Sequence, residues 1–174
     1  MHKLDQRLSQ PIHTLKLGVL DYLLVAPGLM FGSYVMPATV FGLGLWLGWR
    51  WAAVATMAAI TTVAITSPMK HYFGRLRPGP LAAPRRVPLR AMVNNPAFPS
   101  GDSAQAGMIV ALLAVAGPFD DARRWWFVPL APLCMFSRVY YGAHWVGDTL
   151  GGVVIGAGIG LLYGYWFGAW MAAS

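Results

Sequence analysis

The sequence contains no glutamate. Its six acidic residues are all aspartate: Asp5, Asp21, Asp102, Asp120, Asp121 and Asp148. So scattered a set of carboxylates argues against a carboxylate-built metal cage. There is one cysteine, Cys134, set in an apolar run, which excludes an intrachain disulfide and a cysteine-based zinc site. Charge of any kind is scarce, at 11% of residues against 57% hydrophobic, and the mean hydropathy is +0.53. Those proportions exclude disordered, collagenous and disulfide-stapled chains, and they are not those of a soluble domain. The expectation is an integral membrane protein forming a single domain over residues 1–174.

What charge remains is mostly positive, with 13 Lys and Arg giving a formal net charge of +7. Nucleic acid, anionic lipid headgroups or a phosphorylated substrate would each suit a basic chain. The arginines fall mostly between long apolar runs rather than along a polar face, which favours lipid or phosphate and speaks against nucleic acid. The first sixteen residues are polar and lead directly into a long apolar stretch, so no removable signal peptide is expected.

No charge interrupts Tyr22 to Trp49, and none interrupts Trp51 to Met69. The second run is one spanning helix long. The first is longer and contains Pro27, Gly28, Gly32, Ser33 and Pro37, which fits two short helices turning near Gly32 or one long tilted helix. From His71 to Pro99 the composition turns to proline and arginine, including Arg85, Arg86 and Arg90, and reads as an extramembrane loop over 71–99. Helices are then expected over Ser103–Phe119, Trp125 to about Tyr141, and Trp145–Trp170, with a charged turn at Asp120–Arg124. Their abundant Gly and Ala allow close backbone approach where lipid supplies no drive for helix association. Trp125, Trp126, Trp145, Trp166 and Trp170 fall near helix ends, as an interfacial belt does. His2 and His13 in the polar amino-terminal segment are expected in solvent, and His71 at a headgroup.

Three short stretches carry chemistry: Lys70 to Arg77-Pro78, then Pro99-Ser100-Gly101-Asp102, then Ser137-Arg138 through His144 to Asp148. If Lys70 ends a helix on one side of the membrane, the next helix begins there at Ser100. The following pair crosses and returns, bringing Arg138, His144 and Asp148 back to the same face. Lys70, Arg77 and Arg138 supply fixed cations, and the N–H groups of Ser100 and Gly101 open a helix, so the ensemble forms a phosphate cradle. Three cations beside a membrane helix are costly unless an anion neutralises them. His144 and Asp148 are four residues apart. On a helix they would share a face, letting the carboxylate orient the imidazole and raise the basicity of its free nitrogen, which makes a nucleophile.

These stretches resemble the signatures of the type 2 phosphatidic acid phosphatases (PAP2), membrane lipid phosphatases that share a core with vanadium haloperoxidases. Lys-x6-Arg-Pro is matched at Lys70, Arg77 and Pro78, and Ser-Arg-x5-His-x3-Asp at Ser137, Arg138, His144 and Asp148. Pro-Ser-Gly-His is matched at Pro99, Ser100 and Gly101 and departs at Asp102, where the family has histidine. The resemblance implies an all-α bundle of six transmembrane helices and a phosphatase that uses neither metal nor cofactor. His144 would attack phosphorus and become a phosphohistidine, with Asp148 orienting it, while Lys70, Arg77, Ser100, Gly101 and Arg138 bind the phosphate. The family's histidine protonates the departing oxygen, a task ill suited to Asp102 among cations that favour its ionised form. A leaving group that is itself a phosphate needs less such help, so a polyprenyl diphosphate is favoured over a phosphate monoester. The alternatives are a working acid in a desolvated pocket and a catalytically weakened lipid-phosphate binder. With two helices before Arg50, Lys3, Arg7, Lys16, Arg50, Arg123 and Arg124 share one side. The slight positive bias of that side places both termini in the cytoplasm and the site on the outer face of the plasma membrane.

Overall fold

The computed structural model describes residues 2–78, 95–120 and 123–173. Eight helices are found there: α1 His2–Thr14, α2 Leu20–Leu23, α3 Val25–Leu29, α4 Met36–Leu47, α5 Trp49–Phe73, α6 Gly101–Ala116, α7 Leu130–Tyr140 and α8 Val146–Ala172. A 3-10 turn, Arg123–Phe127, precedes α7. No strand occurs among the described residues. Two helices, α5 with 25 residues and α8 with 27, are long and apolar enough to cross a bilayer unaided.

The centre of the bundle is α6 packed along α8. Gly152, Gly156 and Gly160 recur every fourth residue, so they stack on one face of α8. A Cβ on Gly156 would lie 1.8 Å from the Ala104 carbonyl oxygen, and one on Gly152 or Gly160 would lie 2.4 or 2.2 Å from those of Ser100 and Met108. Only glycine permits this approach, and the contact area so gained is what associates helices in lipid. Trp51, Val54, Met108 and Leu112 fill the interior, while Leu45, Ile60, Val154 and Tyr165 point outward to lipid.

Helix α5 rises to the end carrying Lys70, stopped by Gly74 in the left-handed conformation (φ +54°), which places an N–H on the Lys70 carbonyl. Helix α6 leaves from that end, α7 returns to it and α8 leaves again. At the opposite end Trp49 meets Trp170 edge-on, and Arg50 Nη1 donates to the Trp170 carbonyl at 3.0 Å while its guanidinium lies over both rings.

The apolar run from Tyr22 to Trp49 does break around Gly32, but its pieces do not make two crossings. Helices α2 and α3 stay at the Lys70 end, where the Leu24 carbonyl accepts from Ser137 Oγ and the Gly28 carbonyl from Arg138 Nη1. Only α4 reaches the far end, where Gly44 lies against Ala52. Twelve residues of α4 rise about 18 Å, short of the ~30 Å hydrocarbon core. The broken α2–α4 run therefore makes one passage from the Lys70 end to the far end, and among the described residues the helices run along the bundle five times.

The amino-terminal segment is solvated on one face only, and His13, expected in solvent, is buried. Helix α1 packs at the Lys70 end with Asp5, Ser9 and His13 buried. The termini thus lie at opposite ends of the bundle, about 40 Å apart along the 27 residues of α8. This overturns the placement of both termini on one side. Lys3, Arg7 and Lys16 move to the site end, leaving Arg50, Arg123 and Arg124 at the other, so the charge bias that assigned the site an outward face disappears. Helix α5 continues through Phe73, into the first residues of the expected 71–99 loop. Arg85, Arg86 and Arg90 lie outside the described residues. The helix expected from Trp125 begins at Leu130, behind the 3-10 turn and Pro129.

Candidate active site

The ends of four helices, α5 to α8, converge at the Lys70 end. Lys70, in the last turn of α5, is buried and donates from Nζ to the carbonyls of Pro99 (2.7 Å) and Pro96 (3.2 Å). Its ammonium therefore braces the segment leading into α6. Ser100 caps α6, its hydroxyl accepting from the Ser103 N–H at 3.4 Å, and its own N–H donates to the Asp148 carbonyl at 2.9 Å. That last bond removes Ser100 N–H from the expected phosphate donors. The first-turn N–H groups of Gly101 and Asp102, which have no intrahelical acceptor, remain.

Arg77 follows α5 in an extended stretch and is held by Asn95, donating from Nε to its carbonyl and from Nη2 to Oδ1, each at 2.7 Å. Its Nη1 donates to the Ala143 carbonyl at 2.5 Å and lies 2.9 Å from His144 Nε2. Arg138, in the last turn of α7, is buried, and its Nε forms an ion pair with Asp102 Oδ2 at 2.9 Å. Asp102 thus faces the cradle and pairs with one of its three cations, in keeping with its expected place among them.

His144 does not sit on a helix. After α7 the chain turns at Gly142, whose φ of +68° is costly for any residue with a Cβ. The N–H groups of Ala143 and His144 then return to the Arg138 carbonyl at 3.1 and 3.3 Å. Trp145 is the N-cap of α8, and Asp148, the third residue of that helix, accepts from the Trp145 N–H at 2.9 Å through Oδ2. The pair is therefore joined by a cap and not by a shared helix face. Asp148 Oδ2 stands 3.7 Å from His144 Nδ1, which has no hydrogen-bond partner.

A guanidinium can only donate, so His144 Nε2 accepts from Arg77 and carries the lone pair. In the neutral ring the proton then resides on Nδ1, facing Asp148. Burial pushes the imidazole well below its usual pKa of 6.5, and the charges of Arg77, Arg138 and Lys70 push the same way, against a smaller opposing effect of the Ala97 carbonyl. The ring is neutral at physiological pH, with an unprotonated nitrogen facing the cations.

The sequence reading passed over Arg75 and Asp5. Arg75 Nη1 donates to Asp148 Oδ1 at 2.7 Å, and its Nη2 reaches Asp5 Oδ2 at 2.5 Å. Trp145 is half-buried and donates from Nε1 to the Leu76 carbonyl at 2.9 Å, which ties it to the site rather than to an interfacial belt. Trp125, Trp126 and Trp166 are exposed, as a belt requires. Two apolar cavities open on the bundle's exterior. One of about 500 Å³ lies between α1, the end of α5 and the start of α8, and one of about 680 Å³ lies between α4 and α5 with Gln105 at its wall. Gln105 is one turn along α6 from Asp102. Among the described residues no group of His, Cys, Asp or Glu is arranged to hold a metal ion.

Comparison with known proteins places this arrangement. A 65-residue stretch is 38% identical to the lipid A 1-phosphatase of Helicobacter pylori strain 26695 and a similar one 37% identical to that of strain J99. Each match covers 37% of this chain and 31% of the relative, so the chain spans under a third of the curated relatives it matches. The fold is that of a transmembrane PAP2-type phosphatidylglycerolphosphate phosphatase from Bacillus subtilis, with a TM-score of 0.78 and 21% identity over 95% of this chain and 85% of that one. It is likewise that of LpxE from Aquifex aeolicus, with a TM-score of 0.69 and 23% identity over 94% and 93%. The sequence profile of the PAP2 superfamily matches residues 49–172, which run from the start of α5 to the end of α8 and include every residue of the cradle. The chain belongs to the PAP2 superfamily.

Proposed function

We propose that the chain hydrolyses a lipid phosphate or diphosphate at the membrane surface, with His144 as nucleophile. The observation that carries this reading is the buried, neutral His144, its Nε2 lone pair 2.9 Å from the Arg77 guanidinium that would bind the phosphate. In the first step Nε2 attacks phosphorus, the bond from phosphorus to the leaving oxygen breaks, and the leaving group departs with that electron pair. Asp148 stabilises the Nδ1–H as the ring gains positive charge. Water then attacks the phosphohistidine, the P–N bond breaks, and inorganic phosphate leaves. Lys70, Arg77, Arg138 and the first-turn N–H of Gly101 stabilise the charge on the equatorial oxygens. Ser100 acts through its hydroxyl and by anchoring Asp148, not through its N–H. The two apolar cavities beside the site suit a lipid tail better than a soluble phosphate.

Asp102 decides the leaving group. Its Oδ2 is engaged in the ion pair with Arg138, so we read Asp102 as part of the cradle rather than as the proton donor. A phosphate leaving group, as in a polyprenyl diphosphate, departs without such help. The same pair supports a second reading, a lipid-phosphate binder weakened in catalysis. The test is phosphate release without added metal from farnesyl diphosphate, dioctanoyl phosphatidate, phosphatidylglycerophosphate and lipid A, by wild type and by Asp102→His. Turnover led by the diphosphate, with Asp102→His raising monoester hydrolysis more, is expected. No release above background from a folded wild type would leave the binder.

A further inference from the structure

The Asp148 carboxylate is fully buried, and its orientation is not set by His144, from which it stands 3.7 Å away. It is set at Oδ2 by the Trp145 N–H of the helix cap, and at Oδ1 from outside the helix. Arg75 Nη1 holds Oδ1 at 2.7 Å, and Arg75 is held in turn by Asp5 of α1 at 2.5 Å. Asp5 also uses Oδ1 to accept from the Gly147 N–H at 2.8 Å, and one turn on Ser9 Oγ accepts from the Val146 N–H at 3.0 Å. These two N–H groups belong to the first turn of α8 and have no acceptor within their own helix. Helix α1 therefore supplies the side chains that cap the helix on which Asp148 rides. Further along, the His13 ring lies 5.6 Å from that of Trp145, the N-cap of α8.

We infer that Arg75, and Asp5 acting through it, are positioning residues for the Asp148–His144 pair, so that docking of α1 completes the active site. This deepens the phosphatase reading and rests on it. Two features make the arrangement more than a structural tether. A guanidinium that only steadied the fold could satisfy itself on backbone carbonyls, as Arg77 does on Asn95, yet Arg75 spends its two terminal nitrogens on two carboxylates. Moreover, Asp5, Ser9 and His13 are spaced by four, so the buried face of α1 is a polar stripe aimed at residues 145–148, while the neighbouring Leu4 and Leu8 stay exposed at the cavity beside Arg75. With Asp5 removed, Arg75 loses the contact that fixes where its guanidinium holds Oδ1, so the Asp148 carboxylate shifts relative to Nδ1 although the Trp145 N–H still retains Oδ2. Phosphate binding does not pass through these atoms.

The experiment uses the full chain in detergent, with farnesyl diphosphate and dioctanoyl phosphatidate as substrates and orthovanadate as the binding probe. Asp5→Asn and Arg75→Gln are expected to lower kcat on the order of 10- to 100-fold, the usual range for groups that orient a reacting one. KM, vanadate affinity and the number of vanadate sites per chain should stay within about threefold, since the cradle is intact. Arg75→Lys should recover part of the loss. In an Asp148→Asn background, adding Asp5→Asn should cost less than about threefold, because the group it acts through is already disabled. Wild-type kcat in Asp5→Asn would overturn the inference. So would an undiminished effect of Asp5→Asn in the Asp148→Asn background, or a loss accounted for wholly by fewer vanadate sites. A folded wild type that releases no phosphate from either substrate would instead remove the phosphatase reading itself, and this inference with it.

Discussion

The two ends of α8 show how differently one membrane helix is finished. At its start Asp148 is fully buried and linked to Arg75, Asp5 and the Trp145 N–H, so each charge meets an opposite charge or a dipole. At its other end Trp166 and Trp170 are exposed, and Arg50 lies over rings and donates to a terminal carbonyl. The first end desolvates charge, which costs several kcal/mol per ion unless it is well paired. The second keeps its charge at the headgroups, where little is lost or gained. A bundle tolerates the first arrangement only where the buried charge performs a function.

The sharpest way to test that contrast is to ask which side of the membrane each end occupies. Single cysteines at Lys16 and Ala173 are expected to react with an impermeant thiol reagent from opposite sides in an all-or-none manner. Reaction from one side would restore an even number of crossings. Next in size is His144→Ala, which should lower turnover at least about a thousandfold while vanadate binding largely persists. In the wild type the His144 pKa lies below its unfolded value of 6.5. Its neutral form therefore contributes stability that is full above that pH and is lost as pH falls toward the folded value. Imidazole 15N shifts should report a neutral ring, protonated on Nδ1, at pH 6.5. An imidazolium there would contradict the burial argument.

Gly156→Val should prevent folding, since even a Cβ meets the Ala104 carbonyl oxygen at 1.8 Å, whereas Gly158→Ala, with open space around it, should change stability by no more than about 1 kcal/mol. Equal melting temperatures for the two would show that α6 and α8 are not so closely packed. Asp102→Asn frees Arg138 and should tighten vanadate about 3- to 10-fold, as expected for relief of an ion pair worth ~1 kcal/mol. Weaker binding would mean that Asp102 orients Arg138 rather than competing with the anion. Smallest of all, Arg50→Gln at the far end should leave kcat unchanged and alter stability by under about 1 kcal/mol.

Much of this was readable from the chain. Uncharged runs and antiparallel threading were enough to bring Lys70, Ser100, Arg138, His144 and Asp148 to one end, because each connection, long or short, feeds the next helix from the end where the last one stopped. The number of crossings was not readable: the break at Gly32 is visible in the sequence, but whether its flanking pieces traverse or stay at the surface depends on which partners satisfy the Leu24 and Gly28 carbonyls. The role of α1 was missed although a signal existed. Asp5, Ser9 and His13 fall on one helical face, and a segment scanned for apolar periodicity gives no weight to a buried polar stripe. The His144–Asp148 spacing suggested the right neighbours for the wrong reason, since a cap at Trp145 and not a helix turn joins them.

The glycine seam has a mechanical consequence. Ser100 donates to the Asp148 carbonyl, and its own carbonyl lies where a Cβ on Gly152 would be, so the start of α6 and the start of α8 cannot slide or part without losing both contacts. The second and third sequence signatures thus move as one rigid body. Any opening that admits a lipid must come from the elements around them, α1 to α3 and the stretch bearing Arg77. In a hydrogen-exchange experiment the amides of residues 100–113 and 148–164 should open together and last, while those of α2 and α3 open first and independently.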